Sequence, residues 1–229
     1  MMLSKRVFDT LEFWRDDVAR TGAENMAVDQ LLMERMGTHP ILRVYGWCEP
    51  TVSLGYFLAL ADARASFPSD DLVYVRRWTG GGIVDHRIDA TYTLVIPRGH
   101  ALSMARGAES YRVIHQALTD TLVELGEVAR LTPVSEGAGG LACFDNPVAY
   151  DITNDTGQKI AGAGQRRTRY GLLHQGSVVA GDDAVDLGES FSSVLSDDVV
   201  EWIPDEMFFE DAGRLARSRY ATDAWLHKK

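Results

Sequence analysis

The sequence predicts an α/β fold in which helices flank a mixed, largely antiparallel sheet, and three observations support this prediction. Short runs of β-branched and aromatic residues recur along the 229 residues. Two longer segments carry apolar residues at helical spacing. Turn signals rich in Gly, Pro, Asn and Asp separate several of these runs by only a few residues, which is typical of antiparallel neighbours.

The first half of the chain contains one predicted helix and four predicted strands. Apolar residues at helical spacing predict a helix over 23–36 that ends at Gly37. A turn at Glu49 and Pro50 separates two short strands, which we interpret as a hairpin or as two adjacent strands. The four predicted strands are 41–47, 51–56, 72–77 and 91–96.

The second half continues the alternation of helices and strands. An i, i+3, i+4, i+7 pattern predicts a helix over 110–125, closed by Gly126. Strands are expected at 148–153 and 159–167, joined as a β-hairpin by the turn sequence of residues 154–157. A further strand is expected at 171–180, and residues 204–226 are expected to contain terminal helices.

Length and composition predict a single soluble domain that spans residues 1–229. A chain of this size with 45% hydrophobic residues can bury one substantial core. No apolar run approaches the ~18 residues that span a bilayer, and the mixed charges of residues 1–20 are unlike a signal peptide. We therefore expect a cytoplasmic protein that does not insert into a membrane. Cys48 and Cys143 lack metal-ligand spacing, so neither a zinc site nor a disulfide framework is expected.

The net charge of −10 is unevenly distributed. From residue 182 to residue 211 the chain has eleven acidic residues and no Lys or Arg, which defines an acidic C-terminal portion from about residue 182. In contrast, Lys159, Arg166, Arg167 and Arg169 form a basic stretch without acids, which can attract an acidic partner or can simply be solvated. Nucleic acid is not expected as a partner, because the overall charge repels phosphates and no binding motif is present.

A glycine triplet after paired arginines is the strongest indication of a binding site. Three glycines remove every Cβ from the turn, so backbone N–H groups can approach a ligand, and the arginines add fixed positive charge. The combination suits a carboxylate, a phosphate or an acyl phosphate, although a glycine triplet can also be a plain tight turn. The motif consists of Arg76, Arg77, Thr79, Gly80, Gly81 and Gly82, followed by His86.

A second motif places Lys159 among residues too small to shield it, including Gly162 and Ala163. Such a lysine can neutralise an oxyanion or a carboxylate, or it can be an ordinary solvent-facing turn residue. Cys143 lies in a glycine-rich segment just before the hairpin that carries Lys159. If the two fold together, the ammonium group favours the reactive thiolate, although an isolated cysteine is more often an inert buried residue.

Three histidines and Cys48 receive less specific interpretations. Cys48 has no basic neighbours and is interpreted as structural. His86, His115 and His174 are too scattered along the chain to form a metal site, and for each of them a structural imidazole is the simpler interpretation. His174, within the sequence Leu-His-Gln-Gly-Ser that includes Gly176, can also form a hydrogen bond in the site.

Taken together, these motifs resemble the lipoate/biotin protein ligase and octanoyltransferase superfamily. The arginine–glycine motif with His86 resembles its Arg-Arg-x-Ser/Thr-Gly-Gly-Gly-x-Val-x-His signature. Residues 157–165 resemble its Gly-x-Lys-x-x-Gly-Ser-Ala-Gln segment, and residues 174–177 resemble its His-His/Gln-Gly-Ser strand. The resemblance extends from about residue 14 to about residue 179. Ala163, Gly164 and Asp85 depart from the usual residues, and alanine at position 163 has no side-chain group that can form a hydrogen bond.

The resemblance implies a fold similar to the catalytic domain of biotin synthetase and of class II aminoacyl-tRNA synthetases. It implies that an acyl chain binds in a tunnel lined by the glycine loop, and that Lys159 contacts the acyl carbonyl or the adenylate. One segment resembles a motif of the cysteine-dependent octanoyltransferases of the Bacillus type, which have Cys-Phe followed by Pro and a Tyr-Asp/Glu pair. The matching residues are Cys143, Phe144, Pro147, Tyr150 and Asp151. In those enzymes no ATP is needed, because the cysteine forms a thioester with the acyl group.

The leading hypothesis is therefore an octanoyltransferase with Cys143 and Lys159 as its catalytic residues. It would move an octanoyl or lipoyl group from acyl carrier protein to a lysine of a lipoyl domain or of the glycine-cleavage H protein. The substrate would be bound by the arginine–glycine motif together with His86, Gly162, Ala163, His174 and Gly176. The acidic partner would be bound by Arg166, Arg167 and Arg169. Two alternatives remain: a ligase for lipoate, octanoate or biotin that needs ATP and Mg²⁺, and a non-catalytic module that binds lipoyl or octanoyl groups.

Overall fold

The computed structural model describes residues 6–133, 148–179 and 184–228. Their strands form a main sheet of eight strands and a smaller sheet of three. The main sheet contains β1 (Leu11–Arg20), β2 (Ile41–Trp47), β6 (Ala90–Pro97), β7 (Arg130–Leu131), β8 (Ile152–Thr153), β9 (Lys159–Arg167), β10 (Gly171–Val178) and β11 (Val199–Glu201). The smaller sheet contains β3 (Thr51–Leu54), β4 (Val73–Arg76) and β5 (Ile83–Asp85).

The helices flank the main sheet on both faces, except for two short ones that contact the smaller sheet. The helices are α1 (Gly22–Arg35), α2 (Leu60–Ser66), α3 (Ala101–Met104), α4 (Gly107–Glu124), α5 (Ala184–Leu195), α6 (Glu206–Leu215) and α7 (Asp223–Leu226), with a π-helical turn over Ala216–Tyr220 between the last two. Among the described residues, no helix has the length and apolar character needed to cross a membrane.

The main sheet is mixed and largely antiparallel, as predicted. Its strand order is β11-β1-β2-β6-β10-β9-β8-β7, and only β1 pairs in parallel, with β2 on one side and β11 on the other. Side chains alternate between the two faces of the central strands. Leu94 and Leu172 face a core formed with α4 and α5, whereas their neighbours Val95 and Leu173 face a core formed with α1 and α6.

The predicted pairing of residues 41–47 with residues 51–56 is wrong. β2 lies between β1 and β6 in the main sheet, so it has no free edge, and β3 instead pairs with β4 and β5 in the smaller sheet. Pro50 lies in the connection between the two strands, and it has no N–H group with which to continue a ladder. The hairpin of β8 and β9 is confirmed, with the turn glycine Gly157 at a φ of 80°.

Helix α1 begins at a capping box and lies behind the site. The Thr21 side chain accepts a hydrogen bond from the Glu24 backbone, and the Glu24 carboxylate accepts one from the Thr21 N–H. Its buried face carries polar residues, among them Asn25 and Asp29, and Arg43 of β2 donates to both of them. The helix therefore holds a fixed carboxylate, Asp29, behind the wall of the site described next.

Candidate active site

A cavity opens where the two sheets meet α1. Glycines and aromatic rings form much of its wall, and Lys159 lies on it, so it suits an apolar chain that ends in a polar group. The lining residues are Met26, Tyr45, Trp47, Arg77, Val84, His86, Thr91, Lys159, Gly162, Ala163, Gly164, Gln175, Gly176 and Ser177. Six of them were predicted from the sequence as site residues: Arg77, His86, Lys159, Gly162, Ala163 and Gly176.

Three of the lining glycines are required by close approach rather than by turn geometry. A Cβ on Gly176 would lie 2.1 Å from the ring of Tyr92, and a Cβ on Gly164 would lie 2.4 Å from the carbonyl oxygen of Gly80. A Cβ on Gly162 would lie 2.4 Å from Cε of Lys159. The glycine at position 162 therefore allows the lysine side chain to fold back along its own strand.

Arg77 holds the glycine loop from inside. Its buried guanidinium donates to the carbonyl oxygens of Gly80 and Gly82 at 3.3 Å and 2.8 Å, and to the hydroxyl of Ser53 at 2.6 Å. Gly81, between the two acceptors, has a φ of 96°, which disfavours other residues. The sequence predicts substrate binding by the loop, and the structure places Arg77 where it fixes the loop and also lines the cavity.

Arg76 has a different environment from its neighbour. Its guanidinium is fully buried and donates to backbone carbonyls on both sides of it, those of Gly55, Tyr56 and Leu58 and those of Trp225 and Leu226. It does not belong to the cavity lining. These contacts join the smaller sheet to α7, which indicates a structural role for Arg76, whereas the sequence predicts substrate binding.

Thr79 connects the glycine loop to the floor of the site through Gln175. The Thr79 hydroxyl donates to Oε1 of Gln175 at 2.8 Å, and Nε2 of Gln175 donates to Asp29 at 2.7 Å. Asp29 also accepts from Tyr45, Thr93 and the Arg43 guanidinium. This buried chain fixes the orientation of the Gln175 amide. Sequence analysis assigned no role to Asp29 or to Gln175, although Gln175 lies within the motif of residues 174–177.

His86 lies in the cavity wall with both ring nitrogens paired to protein groups. Nε2 is 2.6 Å from the Ser53 hydroxyl, and Nδ1 is 2.8 Å from Asp89. Its ring stacks on Trp47, with centroids 4.0 Å apart and an interplanar angle of 24°. His86 therefore offers a substrate its ring surface rather than an unpaired nitrogen.

His174 is buried behind the lining. Nδ1 accepts from the Gln165 amide at 2.9 Å, which leaves Nε2 as the donor to the Tyr92 hydroxyl at 3.0 Å. Burial, and secondarily the nearby His115 and Arg167, lowers the pKa of His174 well below its usual value. The neutral imidazole supports Tyr92, and Tyr92 packs against Gly176 of the cavity wall.

Lys159 points into the cavity and forms an ion pair with Asp151. The distance between Nζ and Oδ2 is 2.6 Å, and both side chains are at least 97% buried. The other carboxylate oxygen accepts from the Tyr111 hydroxyl at 2.5 Å, and the same hydroxyl accepts from the backbone N–H of Ala163 at 2.9 Å. Because a buried ammonium needs a partner, the ion pair with Asp151 fixes Lys159 in place, and Tyr111 in turn fixes Asp151. Neither residue was identified as functional from the sequence, although Asp151 lies in the Tyr-Asp pair of the resemblance.

Cys143 lies outside the described residues, since the structure does not describe residues 134–147. The described residues on either side of that segment are paired with each other. Thr132 donates its N–H to the Asp151 carbonyl at 2.7 Å and accepts from the Tyr150 N–H at 2.9 Å, and the Val148 N–H donates to the Asp151 carboxylate at 2.8 Å. Both ends of the undescribed segment therefore lie next to the partner of Lys159, and the role of Cys143 stays a prediction.

His115 supports this region from α4. Its Nδ1 donates to the carbonyl of Tyr150 at 2.7 Å, and Tyr150 has a left-handed backbone with a φ of 69°, which is uncommon for a residue other than glycine. Nε2 of His115 is buried and has no hydrogen-bond partner among the described residues. Burial, together with the charge of Lys159, lowers the pKa of His115 from 6.5 to about 4, so the native state holds this imidazole neutral.

The buried His115 predicts a loss of stability in mild acid. Between pH 6.5 and about 4 the unfolded chain binds a proton at this residue that the native state excludes, so the free energy of unfolding falls as the pH falls. At pH 5 the expected contribution is roughly 2 kcal/mol relative to pH 8. Urea unfolding at both pH values should show a smaller difference for His115→Gln, and an equal difference in the two proteins would contradict the prediction.

The three arginines predicted to bind a partner do not share one surface. Arg166 donates to the Trp78 carbonyl at 3.1 Å, whereas Arg167 donates to the Ser110 hydroxyl on α4 at 2.6 Å. These neighbours point to opposite faces of β9, as successive residues of a strand do. Arg169 contacts the ring of Tyr170.

Within the described part of the chain, no group of three or more His, Cys, Asp or Glu residues can hold a metal ion.

Comparisons with known proteins agree with the motifs. The family model described as Lipoyl protein ligase A/B catalytic domain matches residues 21–205. The octanoyltransferase LipM of Kyrpidia tusciae is 36% identical over 186 residues, which cover 74% of this chain and 66% of that protein. The LipM of Moorella thermoacetica is 38% identical over 187 residues, covering 75% and 68%. The chain thus matches about two thirds of the length of these curated relatives.

Solved structures share the fold at lower sequence identity. A lipoate-protein ligase A bound with ATP matches with a TM-score of 0.73 at 20% identity, covering 96% of this chain and 98% of that chain. The bipartite lipoate protein ligase of Thermoplasma acidophilum, described with its E2 lipoyl domain, matches with a TM-score of 0.69 at 20% identity, covering 96% and 97%. At this identity the likeness establishes the fold class.

Proposed function

The chain belongs to the lipoyl protein ligase A/B catalytic domain family, and we propose that it is an octanoyltransferase that acts through a cysteine thioester. The observation that carries the proposal is the buried Lys159–Asp151 pair on the wall of a largely apolar cavity. The relatives named octanoyltransferase LipM support the acyl group and the reaction type.

In the first step the thiolate of Cys143 attacks the carbonyl carbon of octanoyl-acyl carrier protein. A new C–S bond forms, the bond between the carbonyl carbon and the carrier sulfur breaks, and the carrier leaves as a thiol that takes up the proton released when Cys143 became a thiolate. One thioester replaces another, so no ATP is consumed. The ammonium of Lys159 favours the thiolate and then stabilises the oxyanion of the tetrahedral intermediate.

In the second step a lysine amine of the acceptor attacks the acyl-cysteine. A C–N bond forms, the C–S bond to Cys143 breaks, and the amine loses a proton as the thiol is regenerated. The acceptor is a lipoyl domain or the glycine-cleavage H protein, and a relative of the same fold is described with its E2 lipoyl domain. The transferase needs no cofactor, and we assign its reaction to the cytoplasm.

The cavity explains how one site serves both steps. Arg77, which fixes the glycine loop, and the ring surfaces of Trp47 and His86 border the space for the acyl chain. The side chain of Lys159 folds back toward Gly162 on the same strand, β9. In this proposal its ammonium group lies beside the carbonyl end of the bound acyl chain. Fixed donors at the point where negative charge develops lower the barrier of each acyl transfer.

Mass measurement of the intact protein tests the proposal. Purified protein incubated with octanoyl-acyl carrier protein, without nucleotide, should gain the mass of one octanoyl group and lose it when a lipoyl domain is added. Modification of the acceptor only with free octanoate or lipoate plus ATP and Mg²⁺ would instead establish a ligase. Binding of octanoate without any transfer under either condition would establish a non-catalytic module.

A further inference from the structure

Three cationic side chains and three aromatic side chains alternate in a closed ring of cation–π contacts beside the glycine loop. Within this set each cation contacts two rings and each ring is shared by two cations, and Arg219 also lies 5.4 Å from the centroid of Tyr220. Arg166 lies 5.1 Å from the centroid of Tyr56 and 4.5 Å from that of Trp78, Arg219 lies 5.5 Å from Trp78 and 3.9 Å from Trp225, and Lys228 lies 4.6 Å from Tyr56 and 5.3 Å from Trp225. We name these six residues the cation–aromatic ring.

The positive charge of the cation–aromatic ring is not neutralised by any ion pair within the described residues. The hydrogen-bond acceptors of Arg166, Arg219 and Lys228 are the Trp78 carbonyl, the Gln30 amide and the Tyr56 hydroxyl. The hydrogen bond from Lys228, and then the fields of all three cations, lower the pKa of Tyr56. On a chain with a net charge of −10, such a concentration of positive charge attracts a negatively charged partner.

An exposed aromatic side chain extends the same surface. Phe57 is 84% exposed, and its ring lies edge-on to Tyr56 with centroids 4.9 Å apart. Packing of the C-terminal helix explains why Trp225 is buried, but it does not explain why Phe57 is exposed to solvent. Protein interfaces are enriched in aromatic residues and arginine, with the aromatic side chains as anchors. Phe57 and the cation–aromatic ring together have this composition.

The surface lies outside the glycine loop, at some distance from the reacting carbonyl. The Tyr56 N–H donates to the Thr79 carbonyl at 2.8 Å, which joins the two features. Arg166 follows Gly162 by four residues on β9, a separation of about 13 Å along an extended strand. An acceptor must reach the carbonyl with one lysine side chain, whereas a carrier delivers the acyl group on a longer flexible arm. The distance therefore favours the carrier.

We propose that Phe57 and the cation–aromatic ring dock a carboxylate-rich face of the carrier protein that delivers the acyl group. The inference rests on the proposed function and adds the place where its donor binds. Charge attraction at the cation–aromatic ring speeds the encounter, and burial of Phe57 holds the complex.

Charge reversal at Lys228, compared with the same change at Arg217, tests the docking surface. Arg217 is exposed on the same C-terminal segment and is not part of the cation–aromatic ring, so Arg217→Glu is the matched control. At low ionic strength Lys228→Glu should lower kcat/KM for acyl-enzyme formation from octanoyl-carrier protein about tenfold. Octanoyl-pantetheine, a small thioester without a carrier, should react equally fast with both variants. Phe57→Ser should also weaken only the carrier reaction.

The same experiment separates the docking surface from other roles. Equal rates for Lys228→Glu and Arg217→Glu with the carrier would overturn the proposal, and so would an equal loss with octanoyl-pantetheine, which would indicate a structural role. A loss confined to the acceptor step would assign the surface to the acceptor instead. If the unsubstituted protein acylates from neither donor, the proposed function fails. Titration of fluorescent octanoyl-carrier protein with the unsubstituted protein, Lys228→Glu and Arg217→Glu then decides the docking. The proposal requires that Lys228→Glu binds the carrier more weakly and that Arg217→Glu binds it as well as the unsubstituted protein does.

Discussion

Replacement of Lys159 by methionine is expected to lower the rate of octanoyl transfer by about 100-fold or more. The ammonium is the buried positive group on the cavity wall that is paired with Asp151, and methionine keeps most of its length while removing the charge. Loss of one donor to an oxyanion typically costs ~10²- to 10³-fold in kcat. Single-turnover rates of acyl-enzyme formation, measured by quenched mass spectrometry, provide the test.

A second variant separates catalysis from stability in this experiment. Lys159→Met leaves the buried carboxylate of Asp151 without its partner, which is expected to destabilise the fold by about 3–5 kcal/mol. Combining Lys159→Met with Asp151→Asn removes both charges, so much of the stability should return while the rate stays low. Recovery of the rate in the double variant would show that Lys159 acts only by neutralising Asp151.

Local patterns in the sequence were sufficient to find part of the cavity wall. The small residues around Lys159 are its neighbours in the chain, so Lys159 and Gly162 were predicted as site residues from the pattern itself, whereas Gly176 followed from the family resemblance. The roles of the paired arginines depend instead on distant contacts. Arg76 binds carbonyls near residue 225, whereas Arg77 faces the cavity, and nothing in a local pattern distinguishes the two.

Buried charges explain most of what the sequence did not predict. Strand β1 was missed because charged residues interrupt its alternation, and one of them, Asp16, is buried through its pair with Arg43. Asp151 and Tyr111 are distant in the chain but lie 2.5 Å apart in the fold. Their relation follows only from the packing of α4 against β8 and β9.

The departure from the family motif at Gly164 has a steric explanation. The motif usually has alanine at this position, but here the Gly80 carbonyl oxygen lies 2.4 Å from the place of a Cβ. Thr79 is also close, with its hydroxyl oxygen 2.9 Å from the same point. In this chain the glycine loop therefore packs directly against β9, which closes that side of the cavity.

Cys143→Ser is expected to abolish the acyl-enzyme and to lower the overall rate by at least about 10³-fold. A serine hydroxyl lacks the low pKa of a thiol and stays protonated, so it does not attack a thioester at a useful rate, and loss of a nucleophile has costs of this order or larger. The fold supports the assignment because residues 132 and 148, which flank the segment with Cys143, bond to the backbone or carboxylate of Asp151, the partner of Lys159.

Cys48→Ser is the matched control, because Cys48 is exposed and is not part of the cavity lining. After incubation with octanoyl-carrier protein, the Cys48 variant should carry one octanoyl group that hydroxylamine removes, whereas the Cys143 variant should carry none. Because a thioester is cleaved by neutral hydroxylamine much faster than an oxygen ester, this treatment also identifies the bond. An adduct that persists in Cys143→Ser and disappears in Cys48→Ser would move the nucleophile away from the Lys159–Asp151 pair and remove the basis of the proposed mechanism.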